Sequence, residues 1–507
     1  MRPARTAAAV ALLLTAACGT TVPITSTRTV GGQQPGTTSG DGFGGTTGGA
    51  TSGTAATGST GFSTSGTGGT SGTSGTSGTG GSLTTGGSTG TSGTSGTGVT
   101  PPSASGPRNR TALKVGVLTT DLGAAIAALG GSAGTSRKSN DGYKAIFQAL
   151  NLTGGLSGRK IEPTYVVIDA TDNNYQTDAE AACADFGDAH VELVISDTAS
   201  TDYGVAACLA RKGIPMISST SSDKKGYAGQ PGIFNAFNPS FDRGYGAVVD
   251  QLAESGYLTP KSKIGVIRIT CPEVQNAYNN TVLPRMRAAH LATPIEYTVQ
   301  CASGFQDAGA YSAAMQSAVL RFRSAGVDRV FVFGSQENLL LQYFAEQAQS
   351  QSYHPGYALS SSSFPYTLIG ASTFPAQQLA QVHGVGWHPQ GDTGTDAKLP
   401  QEKRCIALST KGGVKPANVT EVYALYMACS NVFLLETVIK TGNGSANTAA
   451  LRSIVPALGS SFASTGIING VTHYGPGRQD GPQLATEWAY NSSCGCFRYT
   501  GKPKVMR

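Results

Sequence analysis

The sequence predicts an α/β protein of two lobes, each built on a parallel sheet and joined by a hinge, preceded by a disordered Gly/Ser/Thr-rich tether. Three observations predict this organisation. Apolar strand segments alternate with amphipathic helices, the alternation runs twice in succession, and a long stretch before it offers almost nothing apolar to bury. Repeated strand–helix units form parallel sheets, and a second series implies a second lobe.

Residues 1–18 have the features of an export signal. Arg2 and Arg5 precede the apolar run A-A-A-V-A-L-L-L, and small residues lead from it to Cys18. The sequence L-T-A-A-C resembles a bacterial lipobox, so Cys18 is predicted to carry a lipid that anchors the protein to the outer face of the bacterial cell membrane. Thr15 stands where lipoboxes usually have leucine, and ordinary signal-peptide cleavage is the alternative.

Residues 19–110 are predicted to form a disordered tether. From Gly31 to Pro107 the chain is almost wholly Gly, Ser and Thr, with repeats such as T-S-G-T-S-G-T-S-G-T. A Gly-rich chain of about 80 residues has an r.m.s. span of roughly 50 Å, enough to hold a globular domain away from a membrane. A spacer of no particular length, or a glycosylated one, is the alternative.

The cysteines indicate an oxidising compartment. Without Cys18 there are eight, an even number suited to four disulfides. Two pairs are predicted because their members lie on successive helices or just after successive strands: Cys183 with Cys208, and Cys271 with Cys301. The remaining cysteines are Cys405, Cys429, Cys494 and Cys496. They are predicted to pair in that order, Cys405 with Cys429 and Cys494 with Cys496. Cross-pairing is the alternative, because a C-G-C bridge closes a strained small ring.

Several classes of function are excluded by pattern. The net charge of +6 is spread thinly, without the basic cluster that nucleic-acid binding needs. No C-x-x-C pair occurs and the histidines lie apart from the cysteines, so neither a metal nor another cofactor is expected. The G-x-S-x-G match at 130–134 has no strand directly before it, which argues against an enzyme.

The strand and helix segments follow one another regularly. The first series has strands at 114–118, 165–168, 192–196 and 214–218, and helices at 141–152, 178–186 and before Lys212. The second series has strands at 263–270, 295–299 and 329–333, with helices at 241–255, 274–290, 308–325 and 337–350. A bridge near Asn238-Pro239-Ser240 separates the two series.

The globular part is therefore residues 111–507. Lobe 1 is predicted to cover about 111–238 plus part of the C-terminal region, and lobe 2 about 239–385 plus the remainder. Open parallel sheets bind small molecules beyond the carboxyl ends of their strands, so a ligand belongs at the junction of the lobes.

Five segments, in this order, carry a resemblance to a known family: L-K-V-G-V-L, G-G-L-S-G-R-K-I-E, A-R-K-G-I-P-M-I-S-S-T-S-S, K-I-G-V-I and A-G-V-D-R-V-F-V-F-G. The chain from 113 to 490 resembles the type I periplasmic binding proteins, in particular the Leu/Ile/Val-binding receptors of ABC importers. The resemblance implies two Rossmann-like lobes that close on an amino acid or related solute and deliver it to a membrane permease. The long Gly/Ser-rich loop at 119–140 and the C-G-C hairpin depart from the family.

The resemblance also implies binding residues. Hydroxyl-rich loops after the third and fourth strands would hold the carboxylate of the ligand through Ser200, Thr201, Ser219, Thr220 and Ser221. Across the cleft, Gln336 or Glu337 would meet its ammonium group. The alternatives are that the hydroxyls cap helices and that Glu337 favours the dipole of its own helix.

Two functions follow from these features. The first is an extracytoplasmic receptor, a monomer, that hands a small polar solute to an ABC permease. The second is a sensing module that reports the same closure to a membrane partner. The sequence favours import only through the resemblance.

Overall fold

The computed structural model describes residues 109–121, 140–169, 175–197, 204–301, 308–334, 337–363, 374–389 and 396–507. The predicted signal, Cys18 and most of the predicted tether lie outside the described residues. Three of the predicted binding residues, Ser200, Thr201 and Gln336, also lie outside them.

Thirteen strands occur in the described residues. They are β1 Leu113–Asp121, β2 Ile161–Asp169, β3 Leu193–Ser196, β4 Met216–Ser218, β5 Ile233–Asn235, β6 Ile264–Ile269, β7 Ile295–Val299, β8 Arg329–Phe333, β9 Gly356–Ser360, β10 Val382–Gly386, β11 Leu484–Asn491, β12 Cys496–Tyr499 and β13 Lys504–Val505.

The two sheets repeat one topology. The first has the order β2-β1-β3-β4-β5 with every pair parallel, and the second begins β7-β6-β8-β9-β10, again all parallel. The predicted α/β class with two parallel sheets is confirmed. The second sheet continues into β11 and β12, which run antiparallel, so it is a mixed sheet. Sequence patterning after residue 350 did not reveal these added strands.

Helices connect the strands and cover the sheets. The α-helices are α1 Asp141–Asn151, α2 Tyr175–Asp188, α3 Val205–Arg211, α4 Lys224–Gly229, α5 Phe241–Glu254, α6 Pro272–Ala277, α7 Leu283–Ala288, α8 Ala308–Ala325, α9 Glu337–Ser350, α10 Ala376–Leu379, α11 Pro400–Lys411, α12 Val419–Thr441 and α13 Thr448–Ala457. A π-helical turn, Tyr278–Val282, joins α6 to α7, and 3-10 turns occur at Ser361–Ser363 and Ile468–Gly470.

The glycine in the first strand of each sheet has a packing role. A β-carbon on Gly116 of β1 would lie 2.8 Å from the ring of Phe186, and one on Gly265 of β6 would lie 2.7 Å from the ring of Phe322. Both distances are too short for real atoms. The matching glycines of K-V-G-V-L and K-I-G-V-I therefore let an aromatic ring from a covering helix lie directly on the strand.

Helix α12 forms the centre of the lobe 1 core, although it lies far along the chain from β1–β5. Its residues Val432, Leu435 and Ile439 are buried with Val115 and Val117 of β1. By length and hydropathy α12 could cross a membrane, and it is the one such helix in the described residues. Most of its apolar window is buried inside the lobe, which is typical of a core helix.

Three connections join the lobes. The first follows β5 and enters α5, the second leaves β10 and leads toward α11, and the third leads from α13 to β11. Asn235 at the end of β5 pairs with the third connection, since its N–H donates to Gln479 O and its carbonyl accepts from Gly481 N. The first and third connections therefore lie side by side.

Four cysteine pairs are bonded in the structure: Cys183–Cys208, Cys271–Cys301, Cys405–Cys429 and Cys494–Cys496, with Cα separations of 6.2, 4.8, 5.8 and 5.2 Å. Cys405 and Cys429 are completely buried and link α11 to α12 in the core of lobe 1. The bond between Cys494 and Cys496 lies at the exposed turn between β11 and β12.

We predict that the pairs contribute unequally to stability. Replacing Cys405 and Cys429 together by Ala should lower the free energy of unfolding by about 3.5 kcal/mol, because this bond closes a loop of 24 residues. Replacing Cys494 and Cys496 by Ala should cost about half of that or less, because their separation is 2. Urea unfolding of both variants measures the difference, and equal losses would contradict the pairing.

Candidate functional site

The carboxyl edge of the first sheet carries a group of polar side chains. Asp197 follows β3, and the segment Ser219–Ser221 follows β4. These strands are neighbours in the sheet, so their carboxyl ends lie next to each other. Ser219 and Ser221 are buried, and Asp197 is half-buried.

Ser219 is oriented by an amide from the centre of lobe 1. Asn431, completely buried on α12, donates its Nδ2 to Ser219 Oγ at 2.8 Å and to Tyr143 Oη at 3.1 Å. Because Ser219 Oγ accepts this bond, its own proton stays available for another acceptor. Asn431 Oδ1 is buried without a hydrogen-bond partner among the described residues. The cluster thus has a hydroxyl donor and an amide acceptor at one edge of the sheet.

The other two hydroxyl residues of this segment have local partners. Ser221 donates its hydroxyl to Pro239 O at 2.7 Å, which ties the segment to the first connection. The main-chain N–H of Thr220 donates to Ser218 Oγ, and its carbonyl accepts from Asn235 Nδ2 at 2.8 Å. These bonds hold the segment in place. Within the part of the chain that the structure describes, Ser219 Oγ accepts from Asn431 and has no acceptor for its own proton.

The carboxyl group of Asp197 at this edge has a raised pKa. Burial raises the pKa of the Asp197 carboxyl to about 8. Burial, together with the charge of Asp197, also raises the pKa of Tyr143 well above its ordinary value. Both groups are therefore neutral over most of the physiological range, and the edge presents hydrogen-bonding groups with little negative charge.

Glu337 lies at the carboxyl edge of the second sheet, where α9 begins. It is completely buried, and its carboxyl accepts from Ser360 N at 3.3 Å and from Ser360 Oγ at 3.0 Å. Burial raises its pKa to about 8, although the bonds from Ser360 act in the opposite direction. The side chain predicted to meet an ammonium group thus contacts the end of β9 inside lobe 2.

One side-chain amide connects the segment Ser219–Ser221, called the site segment below, to the hinge. Asn238 in the first connection donates its Nδ2 to Ser219 O, and its Oδ1 accepts from Trp387 Nε1 at 2.9 Å. Nε2 of His388, in the second connection, lies 2.9 Å from the same oxygen, and its Nδ1 lies 2.7 Å from Gly466 O. Burial lowers the pKa of His388 to about 3. Its imidazole is therefore neutral at physiological pH.

Sequence reasoning identified part of this arrangement. The structure brings Ser219, Thr220 and Ser221 together on one segment, and it gives the roles of these residues and of Glu337 no direct test. The patterning missed Asn431, although a lone amide in the apolar run A-C-S-N-V-F-L-L was a usable signal. Among the described residues, no cluster of histidine, cysteine and carboxylate side chains suited to a metal occurs.

Comparisons with known proteins give no match at the level of sequence. Neither a scan against protein-family models nor a search of curated proteins finds a match.

Solved structures do match. A type 1 periplasmic binding protein from Bordetella pertussis Tohama I has 17% identity and a TM-score of 0.55, over 77% of this chain and 100% of that one. A solute-binding protein of an ABC transporter from Rhodopseudomonas palustris BisB5, in complex with 3,4-dihydroxybenzoic acid, has 14% identity and a TM-score of 0.55, over 78% and 98%. An ABC transporter substrate-binding protein from Desulfitobacterium hafniense, in complex with Leu, has 17% identity and a TM-score of 0.51, over 76% and 99%.

These matches cover 98% or more of each compared chain. The parallel sheets and the three connections lie in the same segment of this chain that carries the sequence resemblance. The globular part of this chain has the fold of the type I periplasmic solute-binding proteins.

Proposed function

We propose that the chain is an extracytoplasmic solute-binding protein that captures a small organic carboxylate between its two lobes and delivers it to an ABC permease. It acts as a monomer and catalyses no reaction. The observation that carries this proposal is the Ser219 hydroxyl, which Asn431 orients at the carboxyl edge of lobe 1 and whose proton has no acceptor among the described residues. Such a donor suits a carboxylate oxygen.

The ligands of the structural neighbours support the choice of a carboxylate. One neighbour holds 3,4-dihydroxybenzoic acid and another holds Leu. These molecules share little except a carboxyl group next to an apolar body. We therefore propose that lobe 1 of this chain holds the carboxylate, with Ser219 as a donor and with Ser200 and Thr201 as the further donors that the sequence resemblance implies. The second lobe then distinguishes an amino acid from an aromatic acid.

Glu337 bears on this distinction. A carboxyl that is completely buried, hydrogen-bonded to Ser360 and neutral near pH 7 is a poor partner for an ammonium group. The ammonium role of Glu337 or Gln336 stays a prediction from the resemblance. The bonds to Ser360 favour a structural role, in which Glu337 holds the end of β9.

The proposed function is tested by a thermal-shift screen with matched pairs of ligands. Leucine and 3,4-dihydroxybenzoate should raise the melting temperature more than leucinamide and 3,4-dihydroxybenzamide, because only the acids present a carboxylate to lobe 1. For the acid that binds best, Ser219→Ala should weaken binding about ten- to a hundredfold, the value of a hydrogen bond to a charged group.

The matched control for this test is Ser409→Ala. Ser409 is also a buried lobe 1 serine, but its hydroxyl donates to Val414 O, away from the carboxyl edge. Its replacement should leave the affinity unchanged in calorimetry. Equal affinity of Ser219→Ala and the wild type would place the carboxylate elsewhere, and acids that bind no better than their amides would remove the basis for a carboxylate ligand.

Glu337→Gln separates the structural role from the ligand role. A raised carboxyl pKa means that the folded state keeps its proton to higher pH than the unfolded state, so stability is lost as pH rises from about 4.5 toward 8. The variant cannot ionise. It should therefore be more stable than the wild type by more than about 1 kcal/mol at pH 9, and should have no such advantage at pH 5.

Binding measurements on the same variant complete this test. With a structural role, Glu337→Gln changes the affinities for leucine and for 3,4-dihydroxybenzoate by the same factor. A selective loss of leucine binding would instead support the ammonium role, because only that ligand carries a cation. Urea unfolding at the two pH values and calorimetry at pH 7 provide the two readouts.

The predicted membrane anchor has its own test. Two acyl chains are enough for stable membrane attachment, so the protein should take up labelled palmitate in a bacterial host and sediment with membranes. Cys18→Ser should abolish the label and release the protein. Replacing Cys494 and Cys496 by Ser is the control and should keep the label. A wild-type protein without the label would indicate ordinary signal-peptide cleavage.

A further inference from the structure

A pocket lies beside the hinge, apart from the residues of the candidate site. Its volume is about 530 Å³, within the range of roughly 300 to 1,000 Å³ that small-molecule sites occupy. Its walls come from α4 of lobe 1, from α5 and the π-helical turn of lobe 2, from the third connection and from the C-terminal residues. Neither Ser219 nor Glu337 lines it.

The side chains around this pocket are mainly cationic. Five are basic and two are acidic: Lys224, Arg243, Arg285, Arg478 and Arg507, against Asp242 and Asp480. A pocket with such an excess attracts anions.

Both acidic side chains already have hydrogen-bond partners among the residues that line the pocket. Asp480 accepts from Ser240 N and forms an ion pair with Arg243. Asp242 accepts from the main-chain N–H of Lys224 at 2.7 Å and from Thr281 Oγ1 at 2.8 Å. The two carboxylates hold the pocket together. One of them, Asp480, is paired with Arg243 and also acts electrostatically on Arg478.

Two arginines retain donors that the protein does not use. The Nε of Arg243 and the Nε of Arg478 are buried without a hydrogen-bond partner in the described residues. Of the bonds that Arg478 makes, the one to Pro482 O is long, at 3.5 Å. Burial and, to a smaller extent, the charge of Arg243 lower the pKa of Arg478 to about 10, although the charge of Asp480 acts in the opposite direction. Buried unpaired donors are uncommon in folded proteins, and an acceptor in this pocket is one way to satisfy these two.

Arg285, another arginine of these walls, has no buried unpartnered donor of this kind in the described residues. It forms an ion pair with Asp250, and its Nη2 donates to the main-chain oxygen of Arg507. Lys224 is exposed at the start of α4 and has no side-chain partner among the described residues. Arg243 is also largely committed, since it pairs with Asp480 and its Nη2 donates to Pro482 O at 2.7 Å, which leaves its Nε. The cations with uncommitted donors are therefore Lys224 from lobe 1, Arg478 from the third connection and, through its Nε, Arg243 from lobe 2.

We propose that this hinge pocket binds a phosphate-type oxyanion, free or as the phosphate of a small organic molecule, through Arg243, Arg478 and Lys224. The planar fork of a guanidinium donates two parallel bonds to such an anion, and a doubly charged oxyanion balances two adjacent guanidinium groups better than a single carboxylate does. Because the three cations come from both lobes and the hinge, the bound anion links the lobes at this point. The proposal does not depend on the identity of the solute in the main cleft.

The test measures phosphate binding to the mature full-length protein. Inorganic phosphate and glycerol 3-phosphate are titrated by calorimetry against sodium chloride of the same ionic strength. Saturable binding of either phosphate supports the proposal, and the tighter of the two shows whether the ligand is free or organic. An equal response to chloride, or no saturable binding of either phosphate, would overturn it.

Variants assign the site. Arg478→Gln and Lys224→Gln should each weaken phosphate binding. The loss should be about ten- to a hundredfold for Arg478, whose guanidinium makes fewer bonds within the protein than that of Arg243. The control Lys261→Gln removes the same charge from an exposed residue that does not line the pocket, and it should bind like the wild type. Ser219→Ala, which is expected to weaken the acid in the main cleft, should bind phosphate like the wild type, because Ser219 does not line the pocket. Loss of phosphate binding in Ser219→Ala with retention in Arg478→Gln and Lys224→Gln would place the anion in the main cleft and refute the proposal.

Discussion

The side-chain amide of Asn238 is the interaction on which the arrangement of this molecule depends most directly. Its nitrogen donates to the Ser219 carbonyl, and its oxygen accepts from the indole N–H of Trp387. One amide therefore joins the site segment of lobe 1 to the first and second connections between the lobes. Its orientation is determined, because a carbonyl on one side requires a donor and an indole N–H on the other requires an acceptor. An aspartate here could not make the bond to Ser219.

His388 extends this arrangement to the third connection between the lobes. Its two ring nitrogens lie near two acceptor oxygens, those of Asn238 and Gly466. Burial keeps the ring neutral, and a neutral imidazole has one N–H, so it donates to one of the two oxygens at a time. The ring of Phe237 stacks on it with centroids 4.3 Å apart. The hinge thus combines a packed aromatic group with a small number of directional bonds.

The two lobes pack the first strand of their sheets in the same way, and they differ at the carboxyl edges of the sheets, where ligand binding is proposed. Each begins with a strand whose glycine receives a phenylalanine ring, and each repeats one strand order. At the carboxyl edge of lobe 1, Ser219 Oγ has no acceptor for its proton and Asn431 Oδ1 has no donor among the described residues. At the matching edge of lobe 2, Glu337 is satisfied by Ser360 within the lobe. The asymmetry suits a ligand whose carboxylate is held by the first lobe.

By itself, the sequence determined the elements whose signal is local. The period of apolar residues and the repeated strand–helix order predicted the α/β class, the strand Ile295–Val299 and the helix Glu337–Ser350, because these depend on neighbours along the chain. Only the tertiary structure decided which distant segments meet. Asn431 reaches Ser219 across 212 positions, and α12 fills the core of lobe 1 from far along the chain. Such contacts depend on how the chain crosses the hinge three times, and no local pattern records that path.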